Sequence, residues 1–296
     1  NTNNFNEAGT ATTWNTCTST NPCTEIPFTG TCTDSNNGNA KLGVQCQATC
    51  SPNKPYYYSK GVIAGCSATV REWDCGAGRN EGSYTRSSDC TIGGTTTTNG
   101  GGVVVSGTLE IVGNNSDMSN LITITAANNQ RHFYINGVNN KLVLRYIKLT
   151  GGDVSNYNAA SEKVGGSILL GKAFGEDNIY GGELHLYSSI LFNNSAFWGG
   201  GIYGSGNSVV NVNVYVEKSS ITKNSATSGG GGIFIPGYGT AVINRTIFDS
   251  NSAENYGGAL DIARISTATL RQCTFVGNTA TTNGNVIATY DSPAIS

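Results

Sequence analysis

Carboxylate and imidazole side chains could do chemistry in this chain, but the sequence spreads them out. Cleaving a sugar polymer by elimination needs a base that removes a proton, and hydrolysis needs two carboxyl groups held close together. Arg131-His132 is the single Arg-His pair, and at the start of a predicted strand we expect it to pack or face the surface rather than act as a base. No two aspartates are adjacent, and those after residue 100 are Asp117, Asp153, Asp177, Asp249, Asp261 and Asp291. The sequence therefore predicts no catalytic residue.

Cysteines are the second reactive group, and their distribution divides the chain. Only Cys273 lies beyond residue 90. An even number of cysteines in a loop-like segment predicts four disulfides, whose connectivity the sequence leaves open. The spacings contain no Cys-x-x-Cys pair and the chain has 2 histidines, so we expect no zinc site, and no other cofactor is indicated. The disulfide candidates are Cys17, Cys23, Cys32, Cys46, Cys50, Cys66, Cys75 and Cys90.

Three Asn-x-Ser/Thr sequences are candidates for N-linked glycosylation, at Asn114, Asn193 and Asn244. Asn193 precedes a residue predicted to point inward and Asn244 follows one, so both should face solvent. A surface with few charges also needs another source of solubility. We therefore expect a glycoprotein.

One asparagine recurs within a repeated phrase, apolar-x-x-Asn-Ser/Thr-Ala. The four copies are 30, 27 and 27 residues apart, and a fixed period of this size is typical of a solenoid. A polar residue that repeats at one corner can hydrogen-bond its copies in the neighbouring repeats. We expect a structural ladder rather than a ligand site at Asn194, Asn224, Asn251 and Asn278.

The residues around each asparagine predict short strands. Aliphatic residues come two apart before it, as at Leu184 and Leu186, and a Gly-Gly-aliphatic step follows it, as at Gly200 to Ile202. Spacing of two is strand spacing, and a strand repeat of this period predicts a parallel β-helix whose rungs stack. The predicted fold is all-β: a disulfide-rich, loop-rich module over residues 1–98 and a parallel β-helix of about six rungs over residues 99–296. The low-complexity residues 91–102 mark the boundary.

The repeat resembles that of a known family. Phe-x-x-Asn at Phe248 and Phe275 and Gly-Gly-Ala-Leu at Gly257 resemble the repeats of the polymorphic outer membrane proteins of chlamydiae, within the right-handed, pectin-lyase-like β-helix superfamily. The resemblance covers about residues 103–296 and implies a secreted or surface-displayed protein, often an adhesin. Many proteins of that superfamily cut polysaccharides, so a lyase or hydrolase is one alternative function.

A carbohydrate-binding adhesin is the second alternative. Tyr203 and Phe234 occupy the same outward position in successive rungs, and such a contact strip could stack on sugar rings. The competing explanation is ordinary cross-strand stacking that stabilises the sheet.

Composition limits the partners. Only 12% of residues are charged and the formal net charge is −2, so we expect no nucleic-acid binding. No apolar run reaches about 18 residues, so we expect no membrane insertion. With the cysteines, this predicts an extracellular or cell-surface location.

Assembly is the last expectation. The chain begins at Asn1 rather than Met, as a processed or excised protein would, and its last repeat runs to Ser296 without a polar cap. Residues 10–14 and 60–64 could pair with such an open rung on another copy. A contact between unlike ends does not close into a dimer, so further copies can add to form a filament. We expect a secreted structural glycoprotein that binds itself head to tail in a filament or surface layer, with glycans as further partners.

Overall fold

The computed structural model describes most of the repeats and a small part of the first seventy residues. The described residues are 26–27, 58–59, 62–63, 72–76, 80–92, 101–157, 162–171, 181–282, 284, 286–290 and 294–295. They fall into two compact units, one of Asn1–Glu72 with Gly82–Tyr84 and one of Trp73–Glu81 with Thr85–Ser296.

The described part of the first unit contains a small antiparallel sheet. Its strands are β1 (Ile26–Pro27), β2 (Tyr58–Ser59) and β3 (Val62–Ile63), with β3 in the middle. Val62–Ile63 belongs to a segment expected to pair with another molecule, and here both of its edges pair within the chain.

The remaining strands are parallel and form a coil of four sheets. The first sheet contains β4 (Gly82–Arg86), β7 (Thr108–Gly113), β10 (Lys141–Arg145), β13 (Gly182–Tyr187), β17 (Val212–Glu217), β21 (Gly239–Asn244), β25 (Thr267–Arg271) and β29 (Ala294–Ile295). The second contains β5 (Cys90–Ile92), β8 (Ile122–Ala126), β11 (Ile147–Thr150), β14 (Ile190–Phe192), β18 (Ser220–Thr222), β22 (Ile247–Asp249) and β26 (Thr274–Val276).

The third sheet contributes to each turn, and the fourth sheet adds a strand between the second and third sheets in four of the turns. The third contains β6 (Val103–Val105), β9 (Phe133–Ile135), β12 (Ile168–Gly171), β16 (Ile202–Ser205), β20 (Ile233–Gly237), β24 (Leu260–Ala263) and β28 (Ile287–Tyr290). The fourth contains β15 (Ser195–Trp198), β19 (Ser225–Gly229), β23 (Ser252–Ala253) and β27 (Thr279–Ala280). The chain visits the sheets in turn and makes about six turns, so the predicted parallel β-helix is confirmed. Strands β4 and β5 lie before residue 99.

Register places equivalent residues of successive rungs above one another. Leu142 pairs with Leu184, Leu184 with Val214 and Val214 with Ala241 in the first sheet, and all four side chains are fully buried. Burying a Leu or Val side chain contributes about 1.5–3 kcal/mol, and a single rung has no core of its own in which to bury it. Stacking is therefore the main source of stability.

The corner between the first and second sheets is a turn that repeats in five successive rungs. One residue there adopts the left-handed conformation, with φ between 46° and 56°, at Tyr146, Ser188, Lys218, Arg245 and Gln272. A non-glycine residue in this conformation costs about 1–2 kcal/mol, so the packing of the adjoining strands must impose the turn.

Strands β9, β12, β20 and β24 of the third sheet are buried along their whole length, so their outward faces are covered as well as their inward ones. The buried cluster on the outward side, which we name the outer layer, contains Val164 and the outward side chains of the sheet itself, with Trp198 packed against it; these side chains are Tyr134, Leu169, Tyr203, Phe234 and Ala263. Val164 and Trp198 come from the segments that lead through the fourth sheet, where they pair with each other. None of the described residues form a helix with the length and apolarity that a membrane crossing requires.

Candidate functional site

The four repeated asparagines form one buried hydrogen-bonded ladder. The side-chain Nδ2 of Asn194 donates to Oδ1 of Asn224 at 2.9 Å, Asn224 donates to Asn251 at 3.0 Å, and Asn251 donates to Asn278 at 2.9 Å. The backbone N–H of each donor residue bonds to the same oxygen, at 3.0 to 3.1 Å. The ladder therefore joins four successive rungs.

The second amide hydrogen of each asparagine is also used. Asn224 donates to the carbonyl of Leu191 at 3.1 Å, and Asn251 donates to that of Ile221 at 2.7 Å. Asn224 and Asn251 thus donate twice and accept twice, which is the full capacity of a primary amide apart from a bifurcated contact. Their bonding capacity is used within the coil, so a ligand would have to break the ladder.

The turn before the ladder sets the direction of each asparagine. The preceding residue is left-handed in all four rungs, with φ of 53° at Asn193, 55° at Lys223, 54° at Ser250 and 60° at Gly277. This residue points outward and is exposed, so the next one points into the coil. One rung earlier Gly152 occupies the ladder position, and its N–H donates to Oδ1 of Asn194 at 2.9 Å.

His132 makes hydrogen bonds inside the coil in the part that precedes the first ladder residue, Asn194. Its side chain is fully buried, and Nε2 lies 3.1 Å from the Ile124 carbonyl and 3.0 Å from the Thr150 carbonyl. Two carbonyls require a hydrogen on Nε2, so Nδ1 accepts from the Ser167 hydroxyl at 3.0 Å. Burial lowers the pKa of the imidazole to about 4, and the ring is neutral at physiological pH.

Arg131 is buried beside it and holds the outer layer in place. Its guanidinium donates to the carbonyls of Glu162 at 2.8 Å, Val164 at 2.9 Å and Gly165 at 3.3 Å. Burial lowers its pKa to about 10, so it stays cationic at neutral pH. Both residues of the Arg-His pair are therefore interior packing residues rather than surface residues.

The predicted aromatic contact strip is not at the surface. Tyr203 and Phe234 are neighbours in register, with ring centroids 5.7 Å apart, but they are 0% and 3% exposed. Alternation placed them correctly on the outward side of the third sheet, and Val164 and Trp198 pack over that side. The rings cannot offer a face to a sugar, so the expectation of an exposed strip is corrected.

Asp261 follows Phe234 in the same column and is the one charged group there. It pairs with Phe234 on one side and Ala288 on the other, and its side chain is 0% exposed. Neither carboxyl oxygen has a hydrogen-bond partner among the described residues. Burial raises its pKa to about 7. Asp249 lies in the second sheet, so the structure does not bring these two aspartates together as a catalytic pair.

The outward face of the first sheet carries a connected group of ionisable side chains that we name the polar network. Glu183 Oε1 accepts from Lys141 Nζ at 2.7 Å and from His185 Nε2 at 2.6 Å, and His185 Nδ1 accepts from the Tyr187 hydroxyl at 2.7 Å. Arg145 lies 4.1 Å from the centre of the Tyr187 ring and bonds Glu110 Oε1 at 3.1 Å. The polar network consists of Glu110, Lys141, Arg145, Glu183, His185 and Tyr187.

The network is charged but balanced. Burial lowers the pKa of His185, which keeps its ring neutral at neutral pH. Burial alone would raise the pKa of Glu183, but hydrogen bonds from Lys141 and His185 outweigh it and hold that pKa below its usual value. Two cations therefore face two carboxylates. The ring of Tyr215 in the next rung is tilted against that of His185, with centroids 4.5 Å apart.

One family model matches a short part of the chain. Residues 218–236, which contain Asn224 of the ladder and the following glycine step, match the Chlamydia polymorphic membrane protein repeat. The chain is a parallel β-helix repeat protein. No curated protein and no solved structure matches this β-helix.

Two of the three glycosylation candidates are well exposed on the β-helix. Asn114 and Asn193 are exposed, whereas Asn244 is half-buried. Thr246, the hydroxyl residue of the third sequence, is fully buried and donates to the Asn244 carbonyl at 3.0 Å. Asn114 and Asn193 are therefore the more accessible acceptors.

Two of the eight disulfide candidates fall within the described residues. Cys75 and Cys90 are bonded, and Cys90 lies in strand β5 of the β-helix. Cys17, Cys23, Cys32, Cys46, Cys50 and Cys66 lie outside the described residues. In the part of the chain that the structure describes, no three His, Cys, Asp or Glu side chains converge as metal ligands would.

The polar network was missed by sequence reasoning although a signal existed. Leu184 and Leu186 were predicted to point inward, which places Glu183, His185 and Tyr187 together on the outward face. Three polar or aromatic residues at alternate positions of one strand lie in one row. The same pairing rule brings Lys141, Arg145 and Tyr215 alongside them.

Proposed function

We propose that this chain is an extracellular structural β-helix protein, displayed at or released from the cell surface. The observation that carries the structural role is the asparagine ladder. It uses side-chain amides to join rungs, and it leaves no free bonding capacity inside the coil at Asn224 or Asn251. Such an interior maintains a rigid column rather than a reaction site.

The extracellular location rests on two supports. The Cys75–Cys90 disulfide fits an oxidising compartment, since thiols are kept reduced in most cytosols. The matched repeat carries the name of a membrane protein family, and a surface location fits that name. Protease treatment of intact source cells tests the location. Digestion of this chain while a cytosolic marker survives supports the proposal, and protection of the chain in intact cells contradicts it.

Glycosylation and self-assembly are parts of the proposal that need separate experiments. Glycans at Asn114 and Asn193 would increase the mass of native protein, and that increase should fall after enzymatic removal of N-linked glycans. A native mass equal to that of the bare chain rejects the glycoprotein assignment. Head-to-tail assembly predicts sedimentation coefficients that grow with concentration, and a protein that stays monomeric rejects the filament.

A further inference from the structure

We infer that the polar network and Tyr215 form a binding site for a neutral polysaccharide on the outward face of the first sheet. This goes beyond the structural role proposed above and does not depend on it. The site occupies four neighbouring strands, β7, β10, β13 and β17. All seven side chains are partly exposed, so a polymer can reach them without any movement of the coil.

The site is already ordered without a ligand. Each polar end bonds another: Lys141 and His185 both bond Glu183, Tyr187 bonds His185, and Arg145 bonds Glu110. Side chains that are fixed before binding lose little rotamer freedom when a ligand arrives. The network can therefore present hydrogen-bonding groups at a low entropic cost.

Aromatic rings give the site an apolar surface next to those groups. His185 and Tyr187 lie on one strand with ring centroids 5.6 Å apart, and the Tyr215 ring on the next strand is 4.5 Å from that of His185, so the three rings form one cluster across two strands. Rings with an apolar face and a polar edge suit a ligand that is apolar on one side and hydroxylated at its rim. A pyranose has this character, and successive strands about 4.8 Å apart would present such groups to successive sugars.

Charge selects between neutral and acidic polymers. Lys141 and Arg145 each bond a carboxylate, and no cation of the network is left without an anion. A uronate or sulfate would meet Glu183 and Glu110 as well as the cations, and like charges at close range are unfavourable. Hydroxyl groups can donate to the carboxylates and accept from the cations, so a neutral polymer satisfies both.

The experiment uses the full chain and a panel of soluble polysaccharides, followed by calorimetry and gel retardation. Laminarin, dextran and galactomannan are the neutral probes, and alginate and polygalacturonate are the acidic ones. We expect at least one neutral probe to bind at least tenfold more tightly than either acidic probe, with little change between low and high salt. No binding by any neutral probe, or tighter binding of the acidic ones, overturns the inference.

Variants locate the site. Tyr215→Ala removes a ring that carries none of the network's hydrogen bonds, and we expect at least tenfold weaker binding, whereas Tyr215→Phe should retain binding. Val242→Ala is the matched control, because Val242 follows Tyr215 in the same outward column. If Tyr215→Ala fails to fold, Tyr187→Phe decides, since loss of that single hydroxyl should weaken binding at least threefold. Equal affinity in wild type, Tyr215→Ala and Val242→Ala contradicts the assignment.

Discussion

The carboxyl group of Asp261 lies against Gly229 of the neighbouring rung. A Cβ atom added at Gly229 would stand 2.5 Å from Oδ2 of Asp261. In the preceding rung the position equivalent to Gly229 is Trp198, and in the following rung it is Tyr256. The missing side chain at Gly229 therefore provides the space that a buried acid occupies.

Gly229→Ala should destabilise the β-helix by about 1–3 kcal/mol through overpacking. The backbone of Gly229 does not require glycine, because its φ is not positive, so the cost comes from the contact with Asp261. Urea denaturation of the single variants and of Gly229→Ala with Asp261→Ala measures their coupling. In the Asp261→Ala background, Gly229→Ala should lower the free energy of unfolding by less than about 1 kcal/mol. An equal loss with and without Asp261 would show that the two residues do not compete for space.

Asp261→Asn should change how stability depends on pH. The folded-state pKa of Asp261 is raised from 3.8 to about 7, so the folded protein holds this proton more tightly than the unfolded chain. The contribution of protonated Asp261 to the free energy of unfolding is complete below about pH 4. It is lost as pH rises to about 7, which lowers that free energy by about 4 kcal/mol. Free energies of unfolding at pH 4, 5.5, 7 and 8 test this. The asparagine variant should lack that loss, and Asp249→Asn is the control at a less buried carboxyl.

His132→Gln should reveal the opposite dependence. The folded-state pKa of His132 is lowered from 6.5 to about 4, so the unfolded chain binds the proton more tightly. Its contribution is complete above about pH 6.5 and falls by about 3 kcal/mol as pH drops to about 4. Glutamine can still donate and accept but does not titrate. An NMR titration in which the His132 ring protonates near pH 6.5 in the folded protein would disprove the burial effect.

The pH ranges in which Asp261 and His132 affect stability overlap between about pH 4 and 6.5. There the two residues change the free energy of unfolding with pH in opposite directions. Wild-type stability should therefore be nearly flat in this range as far as these two groups decide it. Removing Asp261 should leave stability that rises with pH, and removing His132 should leave stability that falls. The same slope in both variants would mean that another group controls the titration.

Asn251→Ala should destabilise the β-helix by about 3 kcal/mol. The change removes the bonds that Asn251 makes to Ile221 and Asn278 and leaves the buried amide of Asn224 without its acceptor. Asn213→Ala is the control, since Asn213 lies on the partly exposed outward face of the first sheet. Thermal or urea unfolding provides the measurement, and equal midpoints for Asn251→Ala and Asn213→Ala would exclude a stabilising ladder.

Local patterns were sufficient to predict the coil. Spacing of two placed Leu184 and Val214 inward, and the recurrence of Asn224 and Asn251 placed them at equivalent corners, because both rules act within one rung or between adjacent rungs. Burial of Tyr203 was not predictable in the same way. Alternation indicates the face of a sheet on which a residue lies, but Val164 and Trp198 cover that face from segments whose path the pattern does not contain.

The candidate sites show the same limit. Alternation along one strand predicts the row of Glu183, His185 and Tyr187. The contacts that Lys141 and Arg145 make with this row depend on the register between strands about 40 residues apart, which alternation does not give. His132 lies inside the coil because two carbonyls and the Ser167 hydroxyl meet there, and no periodic signal marks such a site. Its identity as a buried neutral base emerges only from tertiary packing.

The ladder has a direction, and that direction bears on how the coil lengthens. In every pair the amide hydrogen belongs to the earlier rung and the oxygen to the later one, from Asn194 through Asn278. During synthesis from the N-terminus, the newest rung therefore always carries an amide whose acceptor has not yet been made. Each added segment of 27 or 30 residues supplies that acceptor and adds the next amide that needs one, so the ladder gains its side-chain bonds one rung at a time. A gene that duplicates one such segment would insert a rung with all of its polar bonds already matched.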